Sequence, residues 1–183
     1  MSVSSLSQRP TSDEYFEYYN TYIRLVPNGD ILQHAVNQLE TVSLTLKNIS
    51  EADSTVLHAP YTWTIRQVMG HIIDAERIFA DRLHRISCGD PQPQPGMDQD
   101  LYVKGQDLSS PLLSSLAEEW QHLRRANILL MSRIRSDAWP IQGTASGYPV
   151  TARALAWMLV GHVTHHMNIV SKRLNFRRSI VPN

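Results

Sequence analysis

The feature that most constrains this chain is a pair of histidines four residues apart in an apolar run, Gly161-His162-Val163-Thr164-His165-His166-Met167. Read as a helix from about Thr151 to Leu174, the run places Leu155, Met158, Leu159, His162, His166, Ile169 and Val170 along one side, because residues three and four apart share a helical face. That face is apolar enough to be buried. A buried imidazole still needs partners for its ring nitrogens, and leaving one unpaired costs about 1–3 kcal/mol. Two stacked imidazoles can share one divalent cation, as the helical zinc motifs do. His-x-x-x-His without the glutamate of the zinc-protease helix is a weak motif by itself, and a core histidine satisfied by hydrogen bonds is its ordinary alternative. A third ligand elsewhere in the chain decides between them.

The remaining pattern is helical. Tyr15, Phe16, Tyr18, Tyr19, Tyr22 and Ile23 are spaced as on a short helix within Asp13–Val26, and at that spacing aromatic residues read as packing first and as a pocket lining second. Pro27-Asn28-Gly29 ends it, and Asp30 is an N-cap for a long helix carrying Ile31, Ala35, Leu39, Val42, Leu46 and Ile49. Thr62 or Thr64 caps a second long helix, about Trp63 to Ser87, with Ile65, Val68, Ile72, Ala75, Phe79, Leu83 and Ile86 inward and His71 at the edge of that face. Asp74, Glu76, Arg77, Asp81, Arg82 and Arg85 read as its solvated side. A Pro- and Gly-rich link of roughly 20 residues follows, long for a bundle whose neighbours need about 2–8. Such a link can let the second and third long helices run parallel, or cover one end as a lid. The third helix, about Ser110 to Arg135, presents Leu113, Leu116, Trp120, Leu123, Leu130 and Ile134. Gly143 to Gly147 is a turn-rich loop, and Pro149 or Thr151 opens the last helix; Arg177, Arg178 and Pro182 close the chain. No strand-like alternation of useful length is present. The fold class is therefore all-α: four long helices and a short N-terminal one.

Composition narrows the function classes. A length of 183 residues suits one domain, here residues 13–183, preceded by a Ser-rich segment, residues 1–12, expected to be disordered or loosely attached. Lys plus Arg and Asp plus Glu are 17 each, so no global field favours nucleic acid or an anionic membrane. No apolar run approaches the about 18 residues of a membrane span, and the N-terminus lacks a signal-peptide core. A single cysteine, Cys88, excludes an internal disulfide framework. A cytoplasmic location is expected.

His71 is the best candidate for the third ligand, converging with His162 and His166 if the second and fourth long helices pack side by side, since such helices lie about 8–10 Å apart. Three neutral imidazoles around a divalent ion leave positions open, as in catalytic rather than structural sites. Cys88 lies 17 residues beyond His71, about 25 Å along a helix, too far to be a ligand. His34, His58, His84 and His122 have no partners at useful spacing and read as surface residues.

Two segments resemble a known family. Trp63-Thr64-Ile65-Arg66-Gln67-Val68-Met69-Gly70-His71-Ile72-Ile73-Asp74-Ala75-Glu76-Arg77 is similar to the second-helix segment of the DinB-like (YfiT-like) metalloenzymes, and Arg153-Ala154-Leu155-Ala156-Trp157 with Gly161-His162 and His165-His166 to their last-helix segment. The likeness extends to the Tyr18-to-Asp30 lead-in and to the helix order, including a long crossover between helices two and three. It implies a metal held by His71, His162 and His166, with His165 a flanking residue and only a weak catalytic candidate. On an ideal helix His165 lies about 60° from His162 and His166 about 40° to the other side; the family pattern selects His166. The resemblance also implies a homodimer and a divalent zinc, nickel or iron ion, all of which suit imidazole. The chemistry expected is a thiol-dependent S-transferase type of reaction, with a low-molecular-weight thiol as cofactor and an electrophile as substrate. A metal-dependent hydrolase and a metal- or ligand-binding bundle without turnover are the alternatives. Asp74 is a candidate acceptor for a ligand imidazole or a member of a surface pair, and Arg66, Arg82, Arg153 and Arg173 are candidates to recognise a carboxylate.

Overall fold

Asp30 opens the first long helix as the sequence requires: its carboxylate accepts hydrogen bonds from Leu32 N (2.8 Å) and Gln33 N (3.3 Å). The computed structural model describes residues 5–180. A 3-10 turn at Glu17–Tyr19 runs into α1 (Asn20–Ile23), followed by α2 (Ile31–Lys47), α3 (Glu51–Ser54), α4 (Ile65–Ser87), α5 (Gln99–Lys104) and α6 (Leu113–Ser132). Strands β1 (Gln142–Ala145) and β2 (Tyr148–Thr151) precede the last helix, α7 (Ala152–Ile180). Thr64 starts α4 with a reciprocal capping box, its hydroxyl accepting from Gln67 N while Gln67 Oε1 accepts from Thr64 N. Thr151 caps α7 by accepting from Ala154 N at 3.1 Å; Pro149 lies in β2 instead.

The four long helices, α2, α4, α6 and α7, form a bundle in which α4 and α2 each pack against both α6 and α7. Arg66 reaches Ser109, Arg77 reaches Glu119 and Glu76 reaches Asn127, so α4 and α6 run parallel, as the long link between them permits. Arg173 donates to Trp63 O while His162 meets His71, so α7 runs antiparallel to α4. The link folds α5 within it and joins the hairpin through Gln94 N to Thr144 O (2.8 Å) and Ser146 N to Gln94 O (3.0 Å).

The short helix expected within the aromatic lead-in is present, as a 3-10 turn running into the one turn of α1, and only Ile23 of α1 is buried. Within the N-terminal segment, Arg9 donates to Ile23 O (3.0 Å), to Val26 O and to Asn28 Oδ1, and its guanidinium stacks 4.5 Å from the Trp157 ring. The first four residues lie outside those described. The turn-rich loop is a β-hairpin whose two-residue turn needs positive φ at both centres, supplied by Ser146 (54°) and Gly147 (83°). The side of α4 expected to be solvated is only partly so: Arg77 and Asp81 are exposed, but Asp74, Glu76 and Arg82 are buried, because α4 is flanked by α6, α7 and α5 at once.

Glu76 and Arg124 form the buried polar centre. Arg124 donates from Nε (2.8 Å) and Nη2 (2.7 Å) to the two Glu76 oxygens, from Nη1 to Gln38 Oε1 (2.7 Å) and from Nη2 to Leu159 O (3.1 Å). Asn127 adds a bond to Glu76 Oε1, and Gln38 donates to Val160 O and Thr164 Oγ1. All four long helices meet in this network. Removing one partner of a buried pair strands the other charge, so Arg124→Met is expected to lower unfolding free energy by about 3–5 kcal/mol. The double variant Glu76→Leu/Arg124→Met is expected to recover most of that loss in denaturant melts; equal or greater destabilisation would contradict the account.

Candidate metal centre

Helix α4 brings His71 to the wall it shares with α7, and α7 presents His162 and His166 one turn apart. The three Nε2 atoms converge, with His71 to His162 at 3.0 Å and His166 to His162 at 3.1 Å. One ligating atom from each of the three residues lies within 4.8 Å of the others. His71 and His162 are buried and His166 is half-buried. Phe79 (5.5 Å from His162, ring to ring), Tyr22 (5.2 Å from His162) and Trp63 (5.1 Å from His71) enclose them.

Protein hydrogen bonds alone do not satisfy this arrangement. His162 Nε2 faces two other Nε2 atoms and has at most one proton to share, while His71 Nδ1 is sealed with no partner among the described residues. Burial makes the charged form costly and pushes the His71 pKa down to about 4 and that of His166 to about 2, with neighbouring histidines adding to the shift. Burial drives His162 down as well, helped by His166 and His71. Three neutral nitrogens aimed at one point form a donor set for a divalent cation. Tetrahedral bonds of about 2.0–2.1 Å to zinc set ligand nitrogens about 3.3 Å apart, close to the spacings of His71 and His166 from His162. A His-based site capable of coordinating a divalent metal is therefore present.

The other candidates sort by position. His165 is outside the convergent group, its ring 5.0 Å from His166 and 5.4 Å from Tyr22. Burial lowers its pKa too, followed by the Arg24 and Lys172 charges. Asp74 accepts from Gln106 Nε2 (2.7 Å) and sits 3.8 Å from Arg77, so it pairs with an amide and a guanidinium rather than with a ligand imidazole. Cys88 is an exposed thiol beside His84. His122 and His84 are exposed, whereas His34 and His58 are half-buried.

A cleft of about 340 Å³ opens onto His71 and His162, lined also by Tyr18, Tyr19 and Tyr22, by Ala75, Phe79 and Arg82 of α4, by Met97–Gln99 of the link and by Ser146 of the hairpin turn. Tyr18, Tyr19 and Tyr22 thus line a pocket, while Tyr15 and Tyr19 also pack against the core. Gly161 permits this, because a Cβ there would lie 2.3 Å from Tyr22 O. The cleft wall on α4 is a repeat from His71 at steps of four, four and three, of which Ala75 and Phe79 read in the sequence as core, His71 as the edge of that face and Arg82 as a solvated charge. Ser146 and the link residues carried no comparable signal.

Comparisons with known proteins agree with this description. The DinB superfamily matches over residues 33–170. YfiT from Bacillus subtilis, described as a probable metal-dependent hydrolase with an unusual four-helix bundle topology, superposes with a TM-score of 0.68 at 15% identity, covering 92% of this chain and 94% of that one. The mycothiol-dependent maleylpyruvate isomerase superposes with a TM-score of 0.64 at 18% identity, covering 79% of this chain but 61% of the isomerase. A search of the curated proteins finds no match.

In the metal-stripped protein, the depressed histidines make stability depend on pH. The unfolded chain protonates them near 6.5 whereas the fold keeps them neutral, so below that pH the unfolded state binds more protons. The denaturation midpoint is expected to be flat above pH 7 and to fall from pH 6.5 to 5.5, before carboxylates of the unfolded chain take up protons near 4.5 and below. An unchanged midpoint over that window would contradict the burial of neutral imidazoles.

Proposed function

The chain belongs to the DinB superfamily, and on that footing we propose that it is a divalent-metal-dependent enzyme in which His71, His162 and His166 hold the cation and leave a position open to the cleft. The convergence of three neutral Nε2 atoms carries the reading. Zinc, nickel or iron as the metal, a homodimeric state, a cytoplasmic location and a single domain over residues 13–183 belong to the same proposal. The likeness to a mycothiol-dependent isomerase supports a low-molecular-weight thiol as nucleophile and an electrophile as substrate, in an S-transferase type of reaction. Metal-dependent hydrolysis is the second reading, favoured by the description of YfiT and the extent of that superposition.

A cation at this site supplies its chemistry by lowering the pKa of a thiol or water that reaches it. The chain's own residues do the rest. The three imidazoles remain unprotonated and keep their lone pairs available. Burial and the adjacent Tyr18 hydroxyl raise the Tyr22 pKa, so its phenol stays protonated and can donate to negative charge developing in the cleft. His165, against the far side of Tyr22, is our candidate for relaying that proton. Phe79 and Tyr19 exclude water from one wall.

Purified protein is expected to carry about one divalent ion per chain by elemental analysis, and His162→Ala to lose it with helical content kept. Equal metal content would remove the site. Metal-loaded protein is expected to conjugate 2-mercaptoethanol to 1-chloro-2,4-dinitrobenzene at least ten-fold faster than His166→Ala. Equal rates, with faster cleavage of a nitrophenyl ester, would select the hydrolase.

A further inference from the structure

Among the described residues five arginines are buried: Arg66, Arg82, Arg124, Arg153 and Arg173. A buried charge ordinarily comes with a counter-charge, since desolvation is costly without one. Three follow that rule, Arg66 with Glu51 (2.9 Å), Arg124 with Glu76 (2.7 Å) and Arg153 with Glu14 (2.8 Å). Arg173 is covered instead by the Tyr61 ring, 3.8 Å from its Cζ, and donates to Trp63 O.

Arg82 is different. Only 3% exposed, it lines the cleft that holds His71 and His162. Among the described residues it has no carboxylate within ion-pair distance, and its hydrogen bonds are from Nη2 to Pro95 O (2.6 Å) and Ser146 Oγ (3.1 Å). Those two bonds account for Nη2 and fix the plane of the guanidinium. Nε and both Nη1 hydrogens have no hydrogen-bond partner among the described residues, nor are these atoms sealed from solvent. The acidic side chains next to it in the chain and on the cleft wall are otherwise disposed: Asp81 is exposed, and Asp98 caps α5 through Oδ1. Phe79 stands between Arg82 and the histidines, its ring 5.9 Å from the Arg82 Cζ and 5.5 Å from His162.

We propose that Arg82 is the anchor for the carboxylate of a small organic acid whose apolar body lies along Phe79 and reaches toward His71 and His162. This rests on the reading of the cleft as the working site and names its substrate class. The cleft, at about 340 Å³, is at the small end of ligand pockets, which run about 300–1,000 Å³. One fixed guanidinium at one end, an aromatic wall between and a nucleophile site at the other suit a molecule with a single charged terminus. Both Arg82 and a cation at the histidines favour an anion over a neutral or cationic ligand.

The test compares 4-phenylbutyrate with its uncharged isostere 4-phenylbutyramide by NMR of the Arg82 Nε–H resonance, in full-length protein both metal-stripped and zinc-loaded. The acid is expected to shift that resonance saturably and to bind at least ten-fold tighter than the amide. Arg82→Gln is expected to erase the preference, and Arg82→Lys to restore part of it. Should Arg82→Gln fail to fold, the wild-type comparison alone decides. Binding of both probes alike, binding of neither, or a preference surviving in Arg82→Gln overturns the proposal and leaves Arg82 as a latch between link and hairpin. Protein that takes up no zinc yet prefers the acid would sink the metal reading and keep this one.

Discussion

The bundle is organised around one buried ion pair. Arg124 of α6 is fully enclosed and grips Glu76 of α4 through both carboxylate oxygens, while reaching Gln38 of α2 and a carbonyl of α7. Burying such a pair is costly, and its attraction repays the desolvation only when the remaining donors and acceptors are also used. Here they are, and the consequence is register. Gln38, held by Arg124, donates to Val160 O and Thr164 Oγ1. Thr164 lies midway between His162 and His166, so the network that closes the polar centre also fixes how far α7 slides along α4.

That register is what brings His71 opposite the two histidines of α7. A slip of one residue would rotate the α7 pair by about 100° and part it from α4. The N-terminal segment reinforces the placement from outside. Glu14 binds Arg153 and Thr151 at the start of α7, and the absent side chain of Gly161 lets Tyr22 lie over His162. Packing, hydrogen bonding and desolvation therefore act on the same three imidazoles: they are held close, kept neutral and opened on one side to a cleft.

Much of this was legible in the sequence. The three histidines could be singled out because polar residues in an apolar helical face need a reason, and the resemblance to a known family chose His166 over His165. The four long helices followed from three- and four-residue spacing with Asp30 and Thr64 as caps, and the long link signalled parallel α4 and α6. What was not legible depends on neighbours. Glu76 and Arg82 look like solvated charges until α4 is seen to be surrounded, and Arg124 and Asn127 interrupt the apolar face of α6 only because Glu76 faces them. The hairpin has two four-residue strands containing Gly143 and Pro149, too short and too irregular to show alternation. The tyrosines have helical spacing, yet Tyr18 and Tyr19 sit on a 3-10 turn and Tyr22 on the single turn of α1, too short a segment to bury them all.

The central claim is that the three ring nitrogens share one cation, and X-ray absorption at the metal edge of zinc-loaded protein tests it most directly. Three imidazole ligands with Zn–N distances of about 2.0–2.1 Å are predicted, with one lighter-atom or sulfur ligand added when thiol is supplied. A first shell with fewer than two imidazoles, or one dominated by carboxylate oxygen, would contradict it.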